Sequence, residues 1–295
     1  MEHIFHIEQS EVNALIRLVE DPDPIVYSQV RHKLVSYGAN VLPNIERTWL
    51  KESKNESHQS KLKDIINEIR LGELSEKLTK WKNSSNRDLL KGALIISQYQ
   101  FPNINELMIE KEIEKIQQKV WLEINDSQTA YETVKVFNHV MFDILDFQGS
   151  RKNFFSPQNS FIYSVLRNKK GTPLSLSIIY SIVAQRLELP IYGVNLPNQF
   201  ILGFVDENKT LKMLNIHSER NVLFYINPFA KGRIFDQNEI EAYLKSLNLP
   251  FDKAYYEPCS NTDILKRMLA NLIFAYQKAG ETDRVEELSQ LKLIL

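Results

Sequence analysis

The sequence predicts an α+β protein in which helices enclose a small antiparallel sheet. Three observations lead there. The run LSLSIIYSIVAQRL, residues 174–187, carries Leu174, Leu176, Ile178, Ile179, Ile182, Val183 and Leu187, an apolar face too broad for a surface helix, so this helix is buried. Directly after it come four short β-rich runs, 191–195, 200–205, 211–216 and 222–226, separated by Pro, Asn, Asp, Lys and Ser. On both sides of this block, apolar residues recur at helical spacing.

Taken from the N-terminus, the first two helices are marked by Val12, Leu15, Ile16 and Val19, then by Ile25, Val26, Val30, Leu34 and Val35. Asp23 before Pro24 is a start signal, because Pro fits the first helical position behind an Asp cap, and Gly38 is a stop signal. A third helix begins near Pro43. These three helices resemble a HEAT-like repeat and a half, a unit too small to bury its own face and so expected to dock on a neighbour. The segment KESKNESHQSK, 51–61, is polar without apolar periodicity and is expected as a mobile loop before a helix over 62–81. In SSNRDLL, Ser85 stands three residues before Asp88 like a capping box. Helices are then expected over 89–99, 104–124 and 129–145, broken at Pro102 and at 125–127. Thr172 and Pro173 supply the cap and first position of the buried helix. Near the C-terminus, Ser260 or Asn261 caps a helix bearing Ile264, Leu265, Met268, Leu269, Leu272, Ile273 and Tyr276, Gly280 ends it, and another helix follows over 283–295. The text NLIFAYQKAGETDRVEEL resembles a tetratricopeptide helical hairpin, in which Ala and Gly allow close approach of the helices. A single hairpin is expected to cap the core and does not make a grooved array.

The segments KGTPLSLSIIY, LPNQFIL and INPFAKG, in this order and spacing, resemble the SirB-type transglutaminase-like family, and the resemblance runs from Arg87 to Leu295. It implies a transglutaminase-like, papain-like core. Catalytic relatives place a Cys at the start of the central helix, a His on the next strand and an Asp on the one after. The helix N-terminus favours a thiolate, His accepts its proton, and Asp holds the imidazole. The resemblance assigns these addresses to the run 171–175, to Gln199 and to Asn227, which hold no Cys, His or Asp. Pro173, Ser175, Gln199 and Asn227 are therefore read as vestigial site positions, with no catalytic residue assigned. An amide cannot act as a base near neutral pH, and Asn227 has no charge to stabilise an imidazolium.

Other candidates each have two readings. Ser175 and Ser177 are small helix-face or capping residues, or nucleophiles that lack an activating base. Gln199 and Asn227 bond to each other or to backbone, or they read an amide-containing ligand in a persisting cleft. His139 and Asp143, four apart on a helix, are a surface pair or part of a metal site, and no second His lies near them in sequence. The remaining histidines, His3, His6, His32, His58 and His217, are scattered. Phe147, Phe154, Phe155, Phe161 and Tyr163 are core or a stacking patch. Arg167, Lys169 and Lys170 are a solvated turn or a phosphate site. Cys259 lies 60 residues beyond Gln199, an order unlike a transglutaminase triad, and is read as a structural thiol.

Composition narrows the classes. With 36 Lys and Arg against 37 Asp and Glu, the net charge of −1 supplies no field for nucleic acid. Nine glycines form no phosphate-cradling loop, no zinc signature is present, and no run approaches the ~20 apolar residues of a membrane span. One cysteine and a polar first ten residues point to a reducing cytoplasm. We place a HEAT-like unit at 1–84 and a transglutaminase-like core at 85–255, with a helical lead-in over 85–148 and helix plus sheet over 159–236. A tetratricopeptide-like hairpin occupies 256–295. The expected function is a non-catalytic cytoplasmic scaffold, adaptor or regulatory module whose partner is a protein or peptide, without cofactor or metal and without nucleic acid or membrane. The alternative is an amide hydrolase or transamidase with an unrecognised active site.

Overall fold

The computed structural model describes residues 9–51, 55–207, 213 and 221–295. The chain divides into two compact units, Met1–Thr79 and Lys80–Leu295. In the first, α1 (Gln9–Leu18), α2 (Pro24–Ser36), α3 (Leu42–Lys51) and the start of α4 (Glu56–Asn83) pack around Val12, Ile16, Val30, Leu34, Ile45 and Leu62. The Asp23 side chain accepts the Ile25 N–H at 2.8 Å, and Gly38 takes φ +61° just past the end of α2.

The expected loop over 51–61 is corrected in part, because α4 already begins at Glu56. Polar residues hide this turn in the sequence, yet a local cap and two longer-range bonds hold it. Asn55 Oδ1 accepts the His58 N–H at 3.1 Å, Gln59 Nε2 donates to Trp49 O at 3.1 Å, and His58 is buried with Nε2 3.3 Å from Ile16 O.

The second unit is built on α9 (Pro173–Arg186), nearly every residue of which is buried. Around it pack α5 (Leu89–Gln98), α6 (Glu106–Trp121) and α8 (Ile162–Asn168). A four-stranded antiparallel meander lies against it through its first two strands: β3 (Ile191–Val194), β4 (Ile201–Val205), β5 (Val222–Asn227) and β6 (Arg233–Phe235). Leu202 pairs with Ile226, and Tyr225 with Phe235. A two-residue parallel pair, β1 (Gln148–Gly149) with β2 (Lys170–Gly171), leads into α9. The three-residue β6 was not expected from sequence, and the expected strand over 211–216 falls, apart from Met213, outside the described residues, as do His3, His6 and His217.

Helix α7 (Ala130–Asn138) runs on into a π-helical turn, His139–Ile144. Helix α10 (Gln237–Ser246) follows the sheet, and the hairpin of α11 (Asn261–Ala279) and α12 (Thr282–Ile294) packs back on α5 and α9 through α11. Ser260 caps α11 in a box with Asp263, and Gly280 closes it at φ +76°. The start of α5 is a correction: the cap is Asp88 itself, accepting the Lys91 N–H at 2.7 Å. Among the described residues, no helix is long and apolar enough to cross a membrane.

Candidate functional site

The N-terminal turn of α9 opens onto a cleft of about 270 Å³. Its floor is Thr172, Pro173 and Leu174, with Asn198, Gln199 and Phe200 from the approach to β4 on one side. Opposite stand Arg267, Asn271, Phe274 and Ala275 of α11, and Phe154, Phe155, Ser156 and Ser160 close the rim. Three of those rings are solvent-exposed for their size: Phe154 at 38%, Phe155 at 54% and Phe274 at 44%. They nevertheless touch edge-on, Phe154 with Phe155 at 5.2 Å and Phe155 with Phe274 at 5.5 Å between centroids.

The sequence-predicted positions separate here. Pro173 and Gln199 line the cleft. The Gln199 side chain is half-buried and makes no hydrogen bond within the described residues, so its amide is free for whatever enters. Ser175 lies beneath the floor at 1% exposure. Its hydroxyl donates to Asn159 O at 2.6 Å and accepts the Thr172 N–H at 2.9 Å, while its own N–H donates to Thr172 Oγ1 at 3.2 Å. That is a reciprocal helix cap. Ser177 is fully buried, and its hydroxyl has no partner among the described residues. Asn227 is not part of the cleft lining; its Oδ1 accepts the N–H groups of Phe229 at 3.1 Å and Ala230 at 3.3 Å, capping the 3₁₀ turn Pro228–Ala230.

The aromatic group splits as well. Phe147 and Phe161 are fully buried core, whereas Phe154 and Phe155 form the rim, so the two readings of this group divide between its members. Sequence reasoning also missed the wall from α11. Arg267, Asn271 and Phe274 sit at i, i+4 and i+7 and so share one helical face, a spacing that was available in the sequence but is overshadowed by the stronger apolar stripe beside it. Arg267 donates to Asn195 Oδ1 at 3.2 Å and forms no ion pair among the described residues. Burial lowers its pKa, but a guanidinium stays charged at neutral pH.

Cys259 lies outside the cleft, its N–H donating to Gly193 O at 2.8 Å on the edge of β3. Burial, reinforced by the nearby Asp263 charge, pushes its pKa up to about 12. His139 and Asp143 form an exposed pair at 3.1 Å, and no group of three potential metal ligands occurs among the described residues.

Comparison with known proteins agrees with this geometry. The profile of the transglutaminase-like superfamily matches residues 108–270, which takes in the cleft floor, Gln199 and Arg267. A UPF0162 protein of Xylella fastidiosa (strain 9a5c) is 24% identical over 214 residues, 70% of this chain and 72% of that protein. Another, from Vibrio cholerae, is 27% identical over 188 residues, 63% of this chain and 65% of its own length. Human F-box only protein 21 is 28% identical over 159 residues, 53% of this chain but only 24% of that longer protein. No solved structure matches the chain. With more than half of its length matched by that profile and the helix-then-meander order in place, the chain belongs to the transglutaminase-like superfamily.

Proposed function

We propose that the chain is a non-catalytic, SirB-type member of this superfamily, a scaffold, adaptor or regulatory protein that holds a peptide segment of a partner in the cleft at the start of α9 without turning it over. The observation that carries the reading is the cleft's composition. Among the described residues its lining contains no Cys, His, Asp, Glu or Lys, while the exposed Phe154, Phe155 and Phe274 border it and Gln199 offers an amide without a partner among those residues. A hydroxyl without a base is a poor nucleophile, and the lining hydroxyls of Ser156, Ser160 and Thr172 have no base beside them. Exposed aromatic anchors around polar groups that can pair with a peptide backbone are the usual make-up of a binding groove. In the same reading the helices of the first unit are HEAT-like, the α11–α12 hairpin is tetratricopeptide-like, and the single thiol suits a cytoplasmic setting.

The test is selection of binding peptides from a displayed library on the full chain, followed by recovery of the bound peptide for mass spectrometry. Binding that weakens about tenfold in Phe274→Ala or Phe155→Ala, with the peptide recovered intact, is the expected result. Hydrolysis or amine incorporation that survives repurification and disappears in Gln199→Ala overturns the non-catalytic reading.

A further inference from the structure

A second pocket of about 500 Å³ adjoins the cleft, and among the described residues its lining includes Arg151, Lys152, Lys170 and Lys231 but no carboxylate. Phe229 forms part of its wall and meets Phe154 of the cleft rim edge-on, with ring centroids 5.9 Å apart and planes at 90°. The two depressions therefore share one aromatic partition.

The charge in the second pocket is largely uncompensated. Lys231 approaches Asp143 at 3.8 Å, whereas Arg151, Lys152 and Lys170 form no ion pair among the described residues. All four cations are exposed. In a chain with 36 basic and 37 acidic residues, four cations around one pocket without a lining carboxylate among the described residues are a local departure from the balanced composition. The neighbouring lysine shows that this is placement and not mere sequence density. Lys169 turns inward, its Nζ 4.5 Å above the Phe147 ring, while Lys170, the first residue of β2, faces the pocket. Across the cleft, the Arg267 guanidinium adds a further cation without a carboxylate partner among the described residues.

We propose that the segment bound by this protein is an acidic peptide. An apolar side chain seats among Phe154, Phe155 and Phe274, and flanking Asp or Glu residues pair with Arg151, Lys152, Lys170 and Lys231 beyond the Phe154–Phe229 partition. The proposal rests on the reading of the cleft as a peptide groove and specifies the chemistry of its occupant. Adjacent pockets suit one extended chain, since six residues reach about 20 Å at ~3.3 Å each. Confinement of the cations to a pocket, with a net charge of −1 overall, favours a peptide over nucleic acid, which is ordinarily met by a basic stripe or a basic domain.

The experiment uses the full chain and synthetic fluorescent peptides of about nine residues, long enough to cross both pockets. Each carries a central Phe, Leu or Trp flanked by Glu, by Gln or by Lys, and affinity is read by anisotropy at low and high salt. The Glu set is expected to bind about fivefold or more tighter than the Gln set, from several exposed contacts each worth a factor of about two. It should also lose that advantage at high salt, where exposed charges are screened. The triple variant R151Q/K152Q/K170Q should reduce the Glu set to the level of the Gln set without moving the Gln set. If Glu and Gln sets bind alike at every salt concentration, the acidic preference is wrong and the cleft reading stands. If no set binds, the cleft reading falls and takes the preference with it. A single-stranded oligonucleotide that binds more tightly than the Glu set, and is lost in the triple variant, also overturns the proposal. The salt series needs no substitution, so it decides the matter even if the variant folds poorly.

Discussion

Asn138→Ala should be among the most damaging single changes to the second unit, and the reason lies in two hydrogen bonds. At the end of α7, Asn138 Nδ2 donates to Gly232 O at 2.7 Å, and Oδ1 accepts the Tyr180 hydroxyl at 3.1 Å. Tyr180 is fully buried on α9, stacked on Phe137 with centroids 4.0 Å apart, so its hydroxyl has no recourse to water. Gly232 takes φ +72°, and a Cβ there would lie 2.0 Å from Asn138 Oδ1; the carboxamide and the glycine are fitted to each other. Asn138 thus ties the INPFAKG turn, which carries Phe229 and Lys231, to the central helix.

Truncation to Ala leaves the Tyr180 hydroxyl and the Gly232 carbonyl unpaired in the interior. At about 1–2 kcal/mol for each orphaned group, the lower part of the usual range for a neutral group, the loss is ~2–4 kcal/mol. For a unit of this size, about 2–4 °C per kcal/mol converts that to a fall of roughly 4–16 °C in Tm. Tyr180→Phe removes one donor and should cost ~1 kcal/mol, but in the double variant the Tyr180 hydroxyl is no longer there to be orphaned. The double variant should therefore lose about 1 kcal/mol less than the sum of the singles. Urea and thermal unfolding of the four proteins read the cycle, with two transitions fitted if the units melt separately. A Tm for Asn138→Ala within about 1 °C of the parent, or strict additivity in the cycle, would refute the reasoning.

Two further expectations follow from the site. Ser175→Ala breaks the reciprocal cap and leaves the Asn159 carbonyl with the Thr172 N–H as its one remaining donor among the described residues, at a cost of about 1–2 kcal/mol, whereas Ser177→Ala removes a buried hydroxyl lacking a partner among the described residues and should be neutral or stabilising by up to ~1 kcal/mol. Chemical denaturation separates them, and equal losses at both positions would show the hydrogen-bond assignment to be wrong. Cys259, held at about 12 against an ordinary 9.0, should carry about a thousandfold less thiolate than a free thiol at pH 8 and alkylate correspondingly slowly in the folded chain. Because the folded value is the higher one, this thiol's contribution to stability is complete below pH 9.0 and lost as pH rises toward 12, and rapid alkylation of the native protein at pH 7 would contradict it.

What the sequence made legible was what is local. Thr172 with Pro173, Asp23 with Pro24, and Ser260 with Asp263 announce helix starts because cap and capped amide lie within three residues. The buried helix and the strands β3, β4 and β5 announce themselves through apolar period and β-rich composition. The first turn of α4 was missed although Asn55 caps His58 three residues on, because the turn lacks apolar period and its other bonds reach Ile16 and Trp49, outside the segment. Nor did the cleft's far wall. A helix in a sequence reveals the stripe it buries, and Arg267, Asn271 and Phe274 lie on another face whose meaning depends on what Thr172 and Gln199 bring opposite it. Lys169 and Lys170 are adjacent letters, yet one covers the Phe147 ring and the other faces the basic pocket, because Lys169 ends α8 in the left-handed conformation, φ +57°, and Lys170 opens the extended β2.

The same limit governs Gln199 and Asn227, which look alike as a pair of amides in the sequence. Asn227 uses its side-chain oxygen as an acceptor for two backbone N–H groups, a task that a carboxylate oxygen at the same place performs equally well. An amide there consequently carries little information about chemistry in the cleft, since the turn needs an acceptor whether or not anything is bound. Gln199 has no such duty: its side chain borders the cleft beside Pro173 and Phe200, without a hydrogen-bond partner among the described residues. In the proposed peptide-binding reading, recognition therefore rests on Gln199 and the cations and rings around it. Substitution of Asn227 tests the turn; substitution of Gln199 tests the ligand.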